Sequence, residues 1–303
     1  MKILVIGGGG QLGSKLLEQN YQDSDFYATY VTRIPRLMST KIHKADKTDR
    51  DVIQKLIKAL SPDVVVDTAA IHNVDYCETN KEEAYGVNVI GTMNVAEACE
   101  ETNAKMVFLS TDYVFDGLKG DYAEDETTNP MNYYGFSKLE GEKKVEQHCG
   151  DYLIVRTSVI YSWVSFSPHE SSSGKPMNFA MWLTKKLQNN LGVSIVTDQY
   201  SSPTLADSLA QIILELCRKD LIGLYHVAGR MRMSRYGFAL KLAEKMRLNQ
   251  SLITPIGSNQ LKQLAKRPLD SSLNVGKVED ALGMKMLTID EALETYCQQA
   301  RTG

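Results

Sequence analysis

The chain begins with MKILVIGGGGQLG, residues 1–13, and the interpretation of the remaining sequence starts from this stretch. Ile3–Ile6 is a short apolar run rich in β-branched residues, which is typical of a fully buried parallel strand. Three glycines follow at the spacing G-x-x-G-x-x-G: Gly7, Gly10 and Gly13. The next residues predict a helix. A glycine turn between a strand and a helix lets the backbone approach a pyrophosphate at the helix N-terminus. The stretch therefore predicts a dinucleotide site, against the alternative of a plain flexible loop.

The composition is that of an ordinary soluble globular protein, with 303 residues of which 43% are hydrophobic and 23% charged. A formal net charge of −3 argues against a general nucleic-acid binder, which is usually basic. The five cysteines are scattered and include no C-x-x-C pair, so neither a zinc site nor a disulfide framework is predicted. The sequence shows no signal peptide and no apolar run long enough for a membrane span. We therefore expect a cytoplasmic protein that binds no nucleic acid, no membrane and no metal.

The first half of the chain alternates predicted strands and helices, which is typical of a parallel, doubly wound α/β sheet. After the first strand, the predicted strands cover residues 26–31, 41–46, 63–68, 106–109 and 152–155. Glu82–Glu101 is predicted as one long helix, in which Asn88 suits a solvent-facing position. The fold class predicted from this order is Rossmann-like.

The residue after the second strand of such a sheet selects the cofactor. An acidic side chain there binds the ribose hydroxyls of NAD, whereas a basic one pairs with the 2′-phosphate of NADP. This chain has Arg33 at that place and no Asp or Glu. The sequence therefore favours NADP(H). NAD(H) remains the alternative, because an arginine also suits a solvated loop.

Two later strand ends add candidate cofactor contacts. Asp46 would lie near the adenine or, equally, belong to a capping cluster for the helix that starts at Asp49. Ala69 and Ala70 follow the fourth strand. Their small side chains allow close approach of a cofactor, or simply close packing.

Tyr134 and Lys138 form a Y-x-x-x-K pair in the stretch NYYGFSKLEGEKK. A spacing of four residues places both side chains on one face of a helix. An ammonium lowers the tyrosine pKa from its usual value of about 10, so the tyrosine can pass a proton to or from a carbonyl or alcohol oxygen. The lysine would also hold the nicotinamide ribose, and Ser110 or Thr111 would hold the reacting oxygen. The pair alone is a weak signal, but its place after the glycine motif strengthens it. Tyr133 does not have the required spacing.

With these residues, the chain resembles an extended short-chain dehydrogenase/reductase, and within that family its dTDP-4-dehydrorhamnose reductase branch. The motifs that carry this resemblance are spread over nearly the whole chain: GGGGQLG at 7–13, STDYVFDG at 110–117, YYGFSKLEGE at 133–142, RTSVIY at 156–161, DQYSSPT at 198–204 and RPLDSSL at 267–273. STDYVFDG and the DQ-x-x-x-PT pattern are the most specific of them.

The resemblance implies an NADPH-dependent reduction of a 4-keto nucleotide-sugar, in this branch dTDP-4-dehydro-L-rhamnose to dTDP-L-rhamnose. It implies Thr111, Tyr134 and Lys138 as the catalytic residues, and it favours Thr111 over Ser110, a choice that spacing alone leaves open. Gln11 and the neighbouring Leu12 join the glycines as expected cofactor contacts. The resemblance also suggests a homodimer.

Two further residues have roles that only the resemblance suggests. Asn178 would contact the nucleotide-sugar, although a helix N-cap explains this residue as well. Arg267 would pair with the substrate pyrophosphate, since a guanidinium forms such forked contacts well, and the alternative is an exposed arginine in a loop.

The chain also departs from the family pattern. Val159 stands in RTSVIY where the family usually has a tryptophan beside the sugar and the nicotinamide. Ser162–Lys175 is a longer polar stretch than usual, which predicts a loop that could act as a lid. Trp163 is the candidate for a replacement ring. These departures bear on the sugar more than on the reductase chemistry.

The domain organisation predicted from this pattern is discontinuous. Residues 1–161 with about 192–229 would form the Rossmann domain, and about 162–191 with 230–303 a smaller C-terminal substrate domain. Two other functions share the same fold and the same site residues. One is a non-catalytic, NADP-binding regulatory subunit resembling the methionine adenosyltransferase beta subunit, and the other is an NAD-dependent sugar epimerase.

Overall fold

A computed structural model describes residues 1–19, 24–35, 41–164 and 178–302 of the chain. The strands are, in chain order, β1 Lys2–Ile6, β2 Asp25–Tyr30, β3 Lys41–Lys44, β4 Val64–Asp67, β5 Lys105–Thr111, β6 Tyr152–Thr157, β7 Ile160–Tyr161, β8 Val193–Val196, β9 Tyr200–Ser201, β10 Thr204–Leu205, β11 Gly223–His226, β12 Met233–Ser234 and β13 Ile253–Ile256. The helices are α1 Gln11–Glu18, α2 Arg50–Leu60, α3 Val74–Thr79, α4 Lys81–Tyr85, α5 Gly91–Thr102, α6 Tyr133–His148, α7 Phe179–Gln188, α8 Ala206–Arg218, α9 Arg235–Lys245, α10 Gly276–Leu282 and α11 Ile289–Thr302.

Within the described ranges, seven parallel strands form the main sheet in the order β11-β6-β5-β4-β1-β2-β3. The order runs outward from β1 in both directions, so the chain reverses direction between β1 and β4. In doubly wound sheets, ligands bind at this reversal, outside the carboxyl ends of the strands. The predicted Rossmann-like fold is confirmed. The glycine loop after β1 and Ala69 after β4 lie at the reversal.

Helices cover both faces of this sheet, which explains why its central strands are apolar throughout. On one face Leu16 of α1 and Ile213 of α8 pack against residues such as Val66. On the other face Ile57 of α2 and Val145 of α6 lie in a second cluster. All four residues of β4 are buried. Burial on both faces fixes the strand ends that carry the candidate site.

The predicted helix at 82–101 is interrupted by a π-helical turn, Gly86–Ile90, between α4 and α5. The expectation that Asn88 faces solvent is wrong, because this turn directs it inward and leaves it fully buried. Its side-chain oxygen accepts from the Ile71 N–H at 2.9 Å, and its amide donates to the Ile71 carbonyl and to Ser137 Oγ, both at 3.0 Å. Asn88 therefore joins the loop after β4 to helix α6, the predicted catalytic helix.

A second core is formed by α7, α9, α11 and the parallel pair β8–β13. The sequence placed residues 192–229 together with the main sheet. In the structure β8 pairs with β13 and adds Val193 and Ile195 to the second core, whereas α8 and β11 pack on or in the main sheet. This stretch is thus divided between the two cores. Most of the predicted loop at 162–175 lies outside the described residues.

In the part of the chain that the structure describes, none of the helices combines the length and the apolar composition needed to cross a bilayer.

Candidate active site

The glycine loop is shaped by backbone contacts that side chains would prevent. Gly7 has φ of +81°, in the left-handed region that favours glycine. The N–H of Gly10 donates to the Gly7 carbonyl at 2.9 Å, which closes the turn. A Cβ on Gly13 would lie 2.4 Å from that same carbonyl oxygen. The loop and the helix start are therefore packed backbone to backbone.

The start of helix α1 fits an anionic group. Its N-cap, Gly10, provides no side-chain hydrogen bond, and its first turn contains no acidic residue. Gln11 Nε2 is buried and has no hydrogen-bond partner among the described residues. Open backbone N–H groups, the positive end of the helix dipole and an unsatisfied amide all favour an anion such as a dinucleotide pyrophosphate. Gly7, Gly10, Gln11, Leu12 and Gly13 lie together here, as the sequence predicted.

Replacing Gly13 with alanine is expected to disrupt this loop. The added methyl group would meet the Gly7 carbonyl oxygen at 2.4 Å and the Gly8 Cα at 2.8 Å, and neither backbone can move without opening the turn. Overpacking of this kind costs about 1–3 kcal/mol, so we expect lower stability in urea and at least about tenfold weaker NADPH binding by fluorescence titration. Gly86→Ala is the matched control, since a Cβ there has no neighbour within 4 Å. If both variants bind NADPH equally, the packing argument for Gly13 is wrong.

Arg33 follows β2 and lies over the glycine loop. Its Nη1 donates to the Gly9 carbonyl at 3.2 Å, and a Cβ on Gly9 would come within 2.1 Å of the Arg33 carbonyl oxygen. Asp46 is exposed, and its Oδ1 accepts from the Thr48 N–H at 2.9 Å and the Thr48 hydroxyl at 2.8 Å. Asp49 caps α2 by accepting from the Val52 N–H. The capping interpretation therefore accounts for the described contacts of Asp46.

Helix α6 carries the Tyr-Lys pair, and Asn132 fixes its start by accepting from the Gly135 N–H at 2.9 Å. Lys138 lies one turn after Tyr134, is 2% exposed and places Nζ 3.8 Å from the centroid of the Phe108 ring. Burial, helped by the positive charge of Lys47, lowers the pKa of Lys138 to about 7. Asp67 and Glu142 act in the opposite direction.

Tyr134 is half-buried, with its ring edge-on to Tyr113 at a centroid distance of 6.0 Å. Burial raises its pKa well above the usual value, a hydrogen bond with the Thr111 hydroxyl lowers it, and the charge of Asp112 raises it. The expectation of a lowered tyrosine pKa is therefore wrong for the ligand-free protein, because the cost of burying a phenolate dominates. A raised pKa keeps Tyr134 protonated, which suits a residue that donates a proton.

The structure distinguishes the two hydroxyls at the end of β5. Ser110 donates to Glu142 Oε1 on the buried side of the sheet, so its hydroxyl is directed away from the tyrosine. Thr111 instead donates to Asp112 Oδ1 at 3.1 Å, and its hydroxyl lowers the pKa of Tyr134. Of the two hydroxyls, only that of Thr111 acts on Tyr134, and the assignment of Thr111, Tyr134 and Lys138 as catalytic residues stays a prediction.

Asp112 connects this group to the second half of the chain. Its Oδ2 accepts from Ser158 at 2.7 Å and from Ser271 at 2.5 Å. Burial raises the pKa of Asp112, while the hydrogen bonds from Ser271, Ser158 and Thr111 lower it. The loop that contains Ser271 also contains Arg267, so the predicted substrate loop is tied to the strand end that carries Thr111.

Arg267 is not an exposed loop residue. Its side chain is 6% exposed, and its Nη2 lies 2.9 Å from Asp75 Oδ1 in an ion pair. Asn178 caps α7 by accepting from the Met181 N–H at 3.1 Å, and its amide donates to the Ser162 carbonyl at 2.8 Å. Both residues are therefore held by contacts within the protein.

Val159 has φ of +40°, which is strained for a β-branched residue. Trp163 packs edge-on against Tyr296 at 5.9 Å between ring centroids. The candidate replacement ring therefore belongs to the second core.

The family model described as "RmlD substrate binding domain" matches residues 1–302. The chain belongs to this family. Among the curated relatives, dTDP-4-dehydrorhamnose reductase of Aggregatibacter actinomycetemcomitans is 30% identical over 305 residues, with 97% of each chain covered. This membership agrees with the reductase branch indicated by the sequence motifs.

Solved structures that carry the name of this reductase have the same fold. A dTDP-4-dehydrorhamnose reductase from Bacillus anthracis in complex with NADP is 29% identical, with a TM-score of 0.85 and 97% and 98% of the two chains covered. A hypothetical dTDP-4-dehydrorhamnose reductase from Sulfolobus tokodaii is 34% identical, with a TM-score of 0.83 and 96% and 98% covered. The resemblance therefore extends over the whole fold.

Sequence reasoning missed Lys47 in this RmlD family chain. Lys47 is buried at 3% exposure, and its Nζ lies 2.7 Å from Asp67 Oδ2. The available signal was Asp67, a carboxylate at the end of the otherwise apolar β4, because a buried carboxylate needs a partner. Among the described ranges, no group of three or more His, Cys, Asp or Glu side chains is arranged to hold a metal ion.

Proposed function

We propose that the protein is an NADPH-dependent reductase of a 4-keto nucleotide-sugar, which converts dTDP-4-dehydro-L-rhamnose to dTDP-L-rhamnose. The observation that carries this proposal is the Thr111 hydroxyl, which acts on Tyr134 one helical turn before Lys138, in a chain whose glycine loop fits a dinucleotide. Membership of the RmlD family, whose relatives include dTDP-4-dehydrorhamnose reductases, supports the same activity.

The chemistry assigns one task to each of three side chains. NADPH, when bound, supplies the hydride that reduces the ketone carbon. Tyr134 donates its proton to the ketone oxygen, and its raised pKa ensures that the proton is present at neutral pH. Thr111 hydrogen-bonds the same oxygen and orients it. Lys138 holds the nicotinamide ribose, and in its protonated form it stabilises the phenolate that Tyr134 becomes.

The substrate contacts are also proposed. We infer that Arg267 binds the substrate pyrophosphate by exchanging its contact with Asp75, whose side chain is 40% exposed. Asn178 would contact the nucleotide-sugar from the start of α7. We also propose that the second core, with β8 added to it, is the substrate domain. Its tie to the catalytic strand through Ser271 and Asp112 supports that division.

Cofactor preference provides the direct test of this proposal. With a dTDP-4-keto-6-deoxy-sugar, we expect faster oxidation of NADPH than of NADH, followed by absorbance, because Arg33 would pair with the 2′-phosphate. In Arg33→Ala, the KM for NADPH should rise about tenfold or more, while the KM for NADH should change little.

The control for this test is Arg218→Ala, which removes an exposed arginine on α8 and should change neither cofactor. Equal use of both cofactors by the wild type would discard the role of Arg33. No turnover with tight NADPH binding would overturn the reductase and favour a regulatory subunit. Turnover without net cofactor oxidation would favour an epimerase.

We further propose that the protein acts in the cytoplasm as a homodimer. All five cysteines are free and buried, which suits a reducing compartment. The dimer rests on the family resemblance alone. Light scattering of the purified protein measures its mass, and a monomeric mass would overturn the dimer.

A further inference from the structure

A buried lysine lies beside the dinucleotide loop, outside the motifs that indicated the function. The ammonium of Lys47 donates to Asp67 Oδ2 at 2.7 Å, to the Ala69 carbonyl at 2.7 Å and to Thr92 Oγ1 at 3.2 Å. An ammonium has three N–H groups, so these three acceptors satisfy it completely. Its position and direction are therefore fixed from three sides.

Lys47 and Asp67 together hold both the carbonyl and the N–H of Ala69. Lys47 binds the Ala69 carbonyl, and Asp67 Oδ1 accepts from the Ala69 N–H at 3.1 Å. Ala69 in turn lies directly against the glycine loop, because a Cβ on Gly7 would be only 3.0 Å from the Ala69 Cβ. Any shift of the turn after β4 would therefore change the packing of Ala69 against the glycine loop, where we propose that the dinucleotide binds.

The same pair also lies close enough to Lys138 to act on it electrically. The charge of Lys47 lowers the pKa of Lys138, whereas the charge of Asp67 raises it, so the two act in opposite directions. The other charged group that acts on Lys138 is Glu142, which raises its pKa, and the Phe108 ring covers its ammonium. The effect of the pair on Lys138 depends on both charges being present.

We propose that Lys47 and Asp67 act together as positioning residues, which fix Ala69 against the glycine loop for the dinucleotide and balance the charge beside Lys138. The proposal rests on the proposed function only in taking NADPH as the dinucleotide. Neither residue needs to touch the reacting atoms. A neutral pair would leave the charge beside Lys138 unchanged but would lose the bond from Lys47 to Ala69.

The test compares Lys47→Met, Asp67→Asn and the double variant. The titration of Lys138 is followed by NMR of lysine carrying a ¹³C label next to the amine, in the ligand-free protein. We expect the Lys138 pKa to rise in Lys47→Met, to fall in Asp67→Asn and to stay near wild type in the double variant. General destabilisation would not produce shifts of opposite sign.

NADPH binding, measured by fluorescence titration, is the second readout. In the double variant we expect about tenfold weaker binding, because the charge balance is kept while the Ala69 carbonyl loses its donor. Lys105→Met is the matched control. Lys105 is similarly buried at 5% exposure, but it pairs with Asp151 at the amino end of β5. This control should change neither the Lys138 titration nor the NADPH affinity.

The proposal is overturned if both single variants shift Lys138 in the same direction, or if the double variant binds NADPH as the wild type does. Lys47→Met leaves a buried carboxylate unpaired and could fail to fold. In that event the test uses Asp67→Asn, in which the Lys138 pKa should fall, and the double variant, in which it should return to the wild-type value. Neither readout uses a sugar substrate. Absence of sugar turnover would therefore overturn the proposed function without affecting this inference.

Discussion

Replacing Tyr134 with phenylalanine is expected to lower kcat by about 10²–10⁴-fold, the usual contribution of a positioned proton donor. The substitution removes only the hydroxyl, and the aromatic contact with Tyr113 is kept. NADPH binding should stay close to wild type, because the glycine loop and Lys138 are unchanged. Turnover is measured from NADPH oxidation with a dTDP-4-keto-6-deoxy-sugar, and binding from NADPH fluorescence.

Tyr133→Phe makes the same chemical change one residue earlier and is the control. Tyr133 faces a different environment, with its ring against Phe136 and the Lys81 ammonium 5.3 Å from the ring centroid. We expect this variant to keep full activity. Equal activity of the two variants would show that the hydroxyl of Tyr134 is not the proton donor.

The sequence was sufficient for the parts of the site that depend on local spacing. The glycine loop is predictable because strand, turn and helix follow one another directly, and Gly9 and Gly13 are required by close backbone contacts nearby. Tyr134 and Lys138 are predictable because helix α6 alone sets their relation. Which of Ser110 and Thr111 is available to Tyr134 cannot be predicted from local sequence, because it depends on the distant Glu142 accepting a hydrogen bond from Ser110.

Other features depend on contacts between distant parts of the chain. Asn88 was expected at the surface, because helical periodicity gives no sign of the π-helical turn that directs it inward. Lys47 lies in the turn after β3 and Asp67 ends β4, 20 residues further along the chain, so the sequence around either residue does not reveal the pair. Arg267 reads as an exposed loop residue until its partner, Asp75, is brought beside it from 192 residues away.

Glu142→Gln is expected to lower the free energy of unfolding by about 3–5 kcal/mol, the cost of breaking a buried ion pair from one side. Glu142 holds Arg156 through two bonds, at 2.9 Å from Nε and 2.7 Å from Nη2, and each side chain is 5% exposed. Arg156 Nη1 is buried and has no hydrogen-bond partner among the described residues, and the guanidinium lies against the Phe115 ring. The amide leaves this charge without a counter-ion. Urea denaturation gives the loss directly.

Two comparisons separate the charge effect from a general effect of substitution. Glu215→Gln breaks an exposed pair with Arg218, whose side chain is 60% exposed, and should cost no more than about 0.5 kcal/mol. Replacing both Glu142 and Arg156 with methionine should recover most of the stability lost in Glu142→Gln, because no charge stays buried alone. A loss in Glu142→Gln no larger than that in Glu215→Gln would contradict the argument.

The same pair also bears on the chemistry, because Glu142 accepts the bond from Ser110 and so keeps that hydroxyl away from Tyr134. An amide at this position accepts through its oxygen alone, so it can hold either Ser110 or Arg156 less firmly than the carboxylate does. The stability of the buried pair and the orientation of the Ser110 hydroxyl therefore depend on one carboxylate. In Glu142→Gln we expect lower stability and a Ser110 hydroxyl that is free to turn towards Tyr134. Thr111→Val should then lower kcat less in the Glu142→Gln background than it does in the wild type.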